Sequence, residues 1–256
     1  MTTHSEAIHT WKQQCRSALV IVKKNAMLYY LRPPVVMFGV LFPVFFFLTF
    51  KLGRPIPAEN IVPGMVAMAL WFTASAVGPL VTPWERAART YERLIGAPLH
   101  LRTIIGGDVL SGLLFGVCLS FVPVLIGLAF TDAAVAKPGI LLLGIVLGAL
   151  AFASLGVLLA APPANSPSNI MLLSNLVRLP LLFVSGVFLP IAQMPVWARW
   201  VAPLSPLSYA GGLIRSAFGE HGYFPDWLSA IMLLVFAAAF FWGACVFHRR
   251  GRAKGL

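Results

Sequence analysis

Between two uncharged apolar runs lies the stretch W-E-R-A-A-R-T-Y-E-R-L-I-G-A-P, residues 84–98. Glu85, Arg86, Arg89, Glu92 and Arg93 crowd charges of both signs into this one connection, beside Trp84 and Tyr91. Glu85, Arg89 and Arg93 follow one another at i, i+4, and Arg89 and Glu92 at i, i+3. A helix over 84–95 would therefore show mixed charge on one face. Trp84, Ala87 or Ala88, Tyr91 and Leu94 or Ile95 would share the other. Thr82 can cap such a helix, Pro83 suits its first turn, and Gly96 and Pro98 suit its end. Aromatic anchors flanked by charged pairs fit a docking surface. A solvated interfacial helix laced by intrahelical pairs, each contributing about 0.2–0.5 kcal/mol, fits the same spacing.

Covalent chemistry has no comparable constellation. The chain contains no G-x-x-x-x-G-K-[ST] phosphate loop, no H-E-x-x-H and no G-x-S-x-G. Its histidines (His4, His9, His100, His221, His248) are scattered, and Cys15, Cys118 and Cys245 are too far apart for a metal or redox motif. No catalytic residue, metal site or bound cofactor is expected. Function must come from moving, passing or docking something.

The elements that would carry the charged stretch follow from composition. The 256 residues are 59% hydrophobic and 11% charged, against about 45–50% and 25% in soluble domains. This predicts an all-α polytopic membrane protein, one transmembrane domain over 1–256. Six runs reach the length of a spanning helix, about 20 residues: 34–50, 61–82, 105–130, 138–161, 170–190 and 227–247. The net charge of +11 sits at the ends of these runs rather than on a soluble basic face, so no nucleic-acid partner is expected. No cleavable signal peptide is expected either. Lys and Arg concentrate in the N-terminal segment (Lys12, Arg16, Lys23, Lys24, Arg32), the 83–104 loop (Arg86, Arg89, Arg93, Arg102) and the tail (Arg249, Arg250, Arg252, Lys254). The other side has only Lys51, Arg54, Lys137, Arg199 and Arg215. Positive charge is retained inside, which predicts cytoplasmic termini and a cytoplasmic 83–99 segment. Within 1–32, Ile8, Trp11, Cys15, Leu19, Val22, Ala26 and Tyr29 recur every three or four residues, the pattern of an amphipathic interfacial helix. Residues 191–226, with Trp197, Trp200 and Tyr223 among Pro and Gly, predict short interfacial or re-entrant helices on the outer side.

Taken in order, P-G-M (63–65), E-R-A-A-R-T-Y-E-R-L-I-G-A-P-L (85–99), L-P-L-L-F-V-S-G-V-F-L-P-I (179–191), M-P-V-W (194–197) and A-P-L-S-P-L-S-Y-A-G-G-L-I-R (202–215) resemble the membrane subunit of type-2 ATP-binding-cassette exporters. The resemblance spans the whole chain and departs at Arg89, where family members often have Gly. It implies a separate cytoplasmic ATPase subunit, which would bind ATP and Mg²⁺. It also implies a second permease copy, with a homodimer expected, in the inner (plasma) membrane. Trp84, Glu85, Arg86, Arg89, Tyr91, Glu92 and Arg93 would then be the ATPase-docking residues of a coupling helix, with the N-terminal helix packed nearby.

A path for cargo would draw on aromatic and polar residues of three spans: Phe42 and Phe46, Trp71 and Phe72, and Asn175, Arg178, Phe183 and Phe188. Phe stripes also simply face lipid or other helices. G-L-L-F-G (112–116) and G-I-V-L-G (144–148) are expected to serve helix packing. Arg178, a charge inside a span, costs about 2.5–3.5 kcal/mol on insertion scales. It should face a structural partner, water or an anionic headgroup, and Asp108 is the only acidic residue near a span core. The expected cargo is a hydrophobic or amphipathic molecule, drug or lipid-like, with a lipid-linked polysaccharide as the alternative. An ion-coupled transporter is a weaker alternative, because it needs buried carboxylates along a path.

Overall fold

Every regular element among the described residues is helical. That is what membrane depth demands, since a helix satisfies its own backbone N–H and C=O groups where no water can. The computed structural model describes residues 11–30, 41, 44–45, 48–49, 58–90, 100–131, 133–162, 166–188 and 190–253. The helices are α1 (Trp11–Asn25), α2 (Ala58–Ala74), α3 (Val77–Ala87), α4 (Leu101–Phe130), α5 (Pro138–Ala160), α6 (Pro167–Val184), α7 (Val196–Val201), α8 (Pro206–Ala217) and α9 (Asp226–Ala253). Five stretches among them are long and apolar enough to cross a membrane: Ile61–Ala87 (most of α2 with all of α3), α4, α5, α6 and Asp226–Arg249. They are the second to sixth expected spans. The expected first span, 34–50, falls almost wholly outside the described residues, as do Phe42 and Phe46.

The bundle is organised around α5, against which α2, α3, α4, α8 and α9 all pack. Small residues let them approach. A Cβ on Gly148 would lie 3.0 Å from Leu70 and 3.1 Å from Ala210, and one on Gly112 would lie 2.6 Å from the Ala153 methyl. Both glycine patterns singled out in the sequence are therefore contact surfaces between helices. Trp71 sets its ring edge-on to Phe152 at 4.8 Å in the centre of the core.

The second span departs from expectation. It is not one helix over 61–82 but α2 and α3 with a break at Ser75–Ala76. Ala76 N–H bonds the carbonyl of Thr73, three residues back, instead of continuing the four-residue ladder. Pro79 explains the break, because its ring excludes the carbonyl four residues earlier, that of Ser75, and it has no N–H to donate. At the same place Gly78 and Gly156 bring two backbones together. A Cβ on Gly78 would fall 2.1 Å from the Gly156 carbonyl oxygen, and one on Gly156 would fall 2.4 Å from that of Ser75.

The two ends of the bundle differ. One, the basic end, holds α1, the end of α3, the start of α4 and the end of α5. The other, the aromatic end, holds 185–225, where α7 exposes Trp197 and Trp200 while α8 is buried along nearly its whole length.

Candidate functional site

The charged stretch does not start its own helix. α3 runs unbroken through Thr82 and Pro83 to Ala87, and Thr82 is buried with no cap bond. This corrects the expected helix start at Thr82–Pro83: residues 84–87 are the last turn of the second span. The helix then stops early. Ala88 N–H bonds Trp84 O, Arg89 N–H bonds Arg86 O, and Arg89 takes φ +54°. That left-handed conformation is the usual way to end a helix and favours glycine. Tyr91, Glu92 and Arg93 lie outside the described residues.

Among the expected docking residues, the structure separates two groups. Trp84 and Arg89 are exposed, along with Ala87, Ala88 and Thr90. Glu85 and Arg86 turn into the bundle. Glu85 is 3% exposed and accepts a hydrogen bond from Lys24 of α1. Arg86 donates to the carbonyls of Ala161 at 3.3 Å and Pro162 at 3.1 Å, and reaches that of Ala160 at 3.5 Å. These are orphan acceptors at the C-terminal end of α5, where a cation also meets the negative end of the helix dipole.

Three further groups complete the basic end. Asn25 is fully buried, and its Nδ2 donates to Asp108 Oδ1 at 2.8 Å and to Ser111 Oγ at 3.1 Å. Ser111 in turn donates to Gly107 O at 2.7 Å. Thr103 donates to Gln14 Oε1. Ile21 seats on Gly107, where a Cβ would lie 2.9 Å from it. Gln14, Ile21 and Asn25 of α1 thus meet α4, while Leu19 of the apolar stripe read from the sequence is 59% exposed. α1 has two useful faces. Periodicity shows the apolar one, and a partly polar seam holds the helix to the protein. The signal for the second was available, since Gln14 and Asn25 are amides on a helix read as apolar and Asp108 is an acid near a span core. Among the described residues Asn25 Oδ1 and Gln14 Nε2 of this network are buried without a hydrogen-bond partner.

Arg178 finds a third answer to the sequence question. It is 6% exposed, its Nη2 donates to the Phe72 carbonyl at 3.0 Å, and its guanidinium carbon lies 5.2 Å from the centre of the Phe72 ring. The Phe72 carbonyl is the one whose helical donor, Ala76 N–H, has been redirected at the break. Arg178 donates to that carbonyl and ties α6 to the hinge of the second span. Asp108 is engaged elsewhere, with Asn25.

The other expected path residues divide as well. Trp71 is fully buried and Phe72 6% exposed, so both face the core of their own chain. Asn175 is exposed, as are Phe183 at 63% and Phe188 at 37%, whose rings stack at 5.5 Å.

Fold and site together define a polytopic all-α membrane protein whose buried second span delivers a charged, exposed segment to one end. Residues 16–218 match the family described as ABC-2 type transporter, and the chain belongs to that family. It is 28% identical over 194 residues to the Inner membrane transport permease YadH of Escherichia coli strain K12, covering 76% of this chain and 75% of that one. It is 29% identical over 195 residues to Nodulation protein J of Bradyrhizobium diazoefficiens, covering 73% and 72%. The chain is accordingly a membrane transport subunit of an ABC transporter, a family whose permeases work with an ABC ATPase subunit.

Proposed function

We propose that two copies of this chain form an export path for a hydrophobic or amphipathic molecule in the inner membrane, with both termini and the 84–90 segment cytoplasmic. A separate ATPase would grip the segment from Trp84 to Ile95. One observation carries the reading: Trp84 and the exposed residues 87–90 directly continue a span that is almost wholly buried. Its own inward charges, Glu85 and Arg86, fasten it to α1 and to the end of α5. A push on 84–90 is thereby passed to three helices. The docking set narrows to Trp84, Arg89 and the following Tyr91, Glu92 and Arg93, while Glu85 and Arg86 act as internal fasteners.

The second copy is supported by α6. Leu172, Asn175, Leu176, Leu179 and Phe183 form one exposed stripe at helical spacing. An amide on a lipid-facing apolar stripe is costly, and a partner helix can satisfy it. Phe183 and Phe188, at the aromatic end of that stripe, would then border the path between copies.

The test is Arg89→Glu and Glu92→Arg in the complex with its ATPase. Membrane insertion of the permease should be unchanged, while co-purification of the ATPase and ATP-dependent export fall together. Full export by both variants would overturn the docking assignment.

A further inference from the structure

α1 meets the bundle on one face only. Gln14, Ile21 and Asn25 seat it on α4. On the opposite side of the helix stand Arg16, Leu19, Val20, Lys23 and Met27, spaced i, i+3, i+4, i+7 and i+11, and all five are exposed. Met27 belongs to the π-helical turn Ala26–Tyr30 that continues α1. Leu19, Val20 and Met27 are 59%, 61% and 67% exposed. We infer that this outward face docks on the anionic phospholipid headgroups of the bilayer surface, and that lipid charge thereby clamps α1 onto α4.

The make-up of the face selects the partner. It interleaves aliphatic side chains with cations, and α1 contains no acidic residue. Arg16 and Lys23 have no ion-pair partner among the described residues. The positive charge continues around the basic end, where Arg89, Arg102 and Arg249 are also exposed. Arg249 is brought there by the packing of Ala244 and Cys245 with Ile105 and Val157. The acids at this end turn inward: Glu85 and Asp108 are 3% and 4% exposed, engaged by Lys24 and Asn25. Among the described residues the basic end therefore presents cations and alkyl groups to its surroundings and no carboxylate. Anionic headgroups above acyl chains complement both features at once. Phosphates pair with guanidinium and ammonium groups, and the aliphatic side chains reach the acyl boundary. Protein interfaces centre instead on aromatic anchors, and the exposed face Arg16–Met27 has none. Because Lys24 and Asn25 hold Glu85 and Asp108 from the same helix, a lipid that favours the docked α1 steadies the feet of the second and third spans.

The inference shares with the proposed function only the meeting of this end with a leaflet surface, and its test uses the permease without ATPase or ATP. Purified permease is placed in nanodiscs of phosphatidylcholine alone, or of equal parts phosphatidylcholine and phosphatidylglycerol. Amide hydrogen exchange over residues 11–25 is then followed by mass spectrometry. Exchange should be about thirtyfold slower in the anionic discs, the effect expected of two cations near an anionic surface, and high salt should remove the difference. Arg16→Gln combined with Lys23→Gln should abolish the lipid dependence and leave exchange in phosphatidylcholine unchanged. Leu19→Ser combined with Met27→Ser should reduce it, whereas Lys137→Gln, at the aromatic end, should preserve it. Soluble glycerol phosphate should not substitute for the lipid. Equal exchange in the two discs would overturn the inference. So would a charge variant that keeps the difference, one that already speeds exchange in phosphatidylcholine, or full protection by glycerol phosphate. Exchange slowed by the ATPase in phosphatidylcholine but not by phosphatidylglycerol would assign the face to a protein instead. Any of these failures leaves the export reading standing, because that reading is tested at Arg89 and Glu92 by ATPase co-purification and export. Failure there would leave the lipid result untouched.

Discussion

Two spans of this protein, Ile61–Ala87 and Pro167–Val184, look alike in a sequence. Each is apolar, each contains proline, and each ends at a polar turn. Yet over its most apolar window the first is 94% buried and the second 22%. Hydropathy does not separate them, because it compares lipid with water, whereas their difference is between lipid and protein, where no hydrophobic force acts. Small residues separate them. The second span carries Gly64, Ala67, Ala69, Ala74, Ser75, Ala76 and Gly78 and so admits neighbouring backbones. The fifth carries Leu172, Leu173, Leu176 and Leu179 and presents bulk outward.

The contrast can be broken most violently at Gly156. Gly156→Leu would drive a side chain into the Ser75 carbonyl, 2.4 Å from the new Cβ, and overpacking against backbone costs roughly 3 kcal/mol or more. Loss of folded protein on size-exclusion chromatography is expected. Gly139→Leu, on the same helix with nothing within 4 Å, should behave as wild type. The next effect compares aromatic rings directly. Trp71→Ala leaves a cavity beside Phe152 and should cost about 3–5 kcal/mol, whereas Phe183→Ala on the exposed stripe should cost under about 1 kcal/mol in the separated chain. Thermal unfolding in detergent reads both, and equal shifts would erase the distinction drawn here. Arg178→Met cuts the side-chain hydrogen bond that ties the fifth span to the break in the second. It removes a buried donor to the Phe72 carbonyl and should cost about 1–3 kcal/mol, seen as a lowered unfolding midpoint. The smallest effect is at the end of the second span. Arg89→Gly relieves a left-handed residue and should stabilise by up to about 1 kcal/mol. Arg89→Val should lower the midpoint instead.

Much of this molecule was legible in its residues. Apolar run lengths located the second to sixth spans to within a few residues, because the thickness of a bilayer fixes helix length. The charged stretch after the second span was plain as well, along with the packing role of the glycine pairs. Three things were not. The break at Ser75–Ala76 depends on Pro79 and on the meeting of Gly78 with Gly156, and only the first of these is local. Glu85 and Arg86 read as surface charges because their partners, Lys24 and the end of α5, lie 61 and about 75 residues away in the chain. Trp71 and Phe72 read as path residues because an aromatic ring on a helix does not announce which neighbour it faces. In each case the missing information was tertiary.

The grip of Arg86 on the final carbonyls of α5 has a mechanical corollary. If Trp84 and Arg89 are gripped as proposed, a twist of the second span's last turn would carry the foot of the fourth span with it, because Arg86 joins the two. The close approach of Gly78 to Gly156 joins the same two columns a second time, just below the Ser75–Ala76 break.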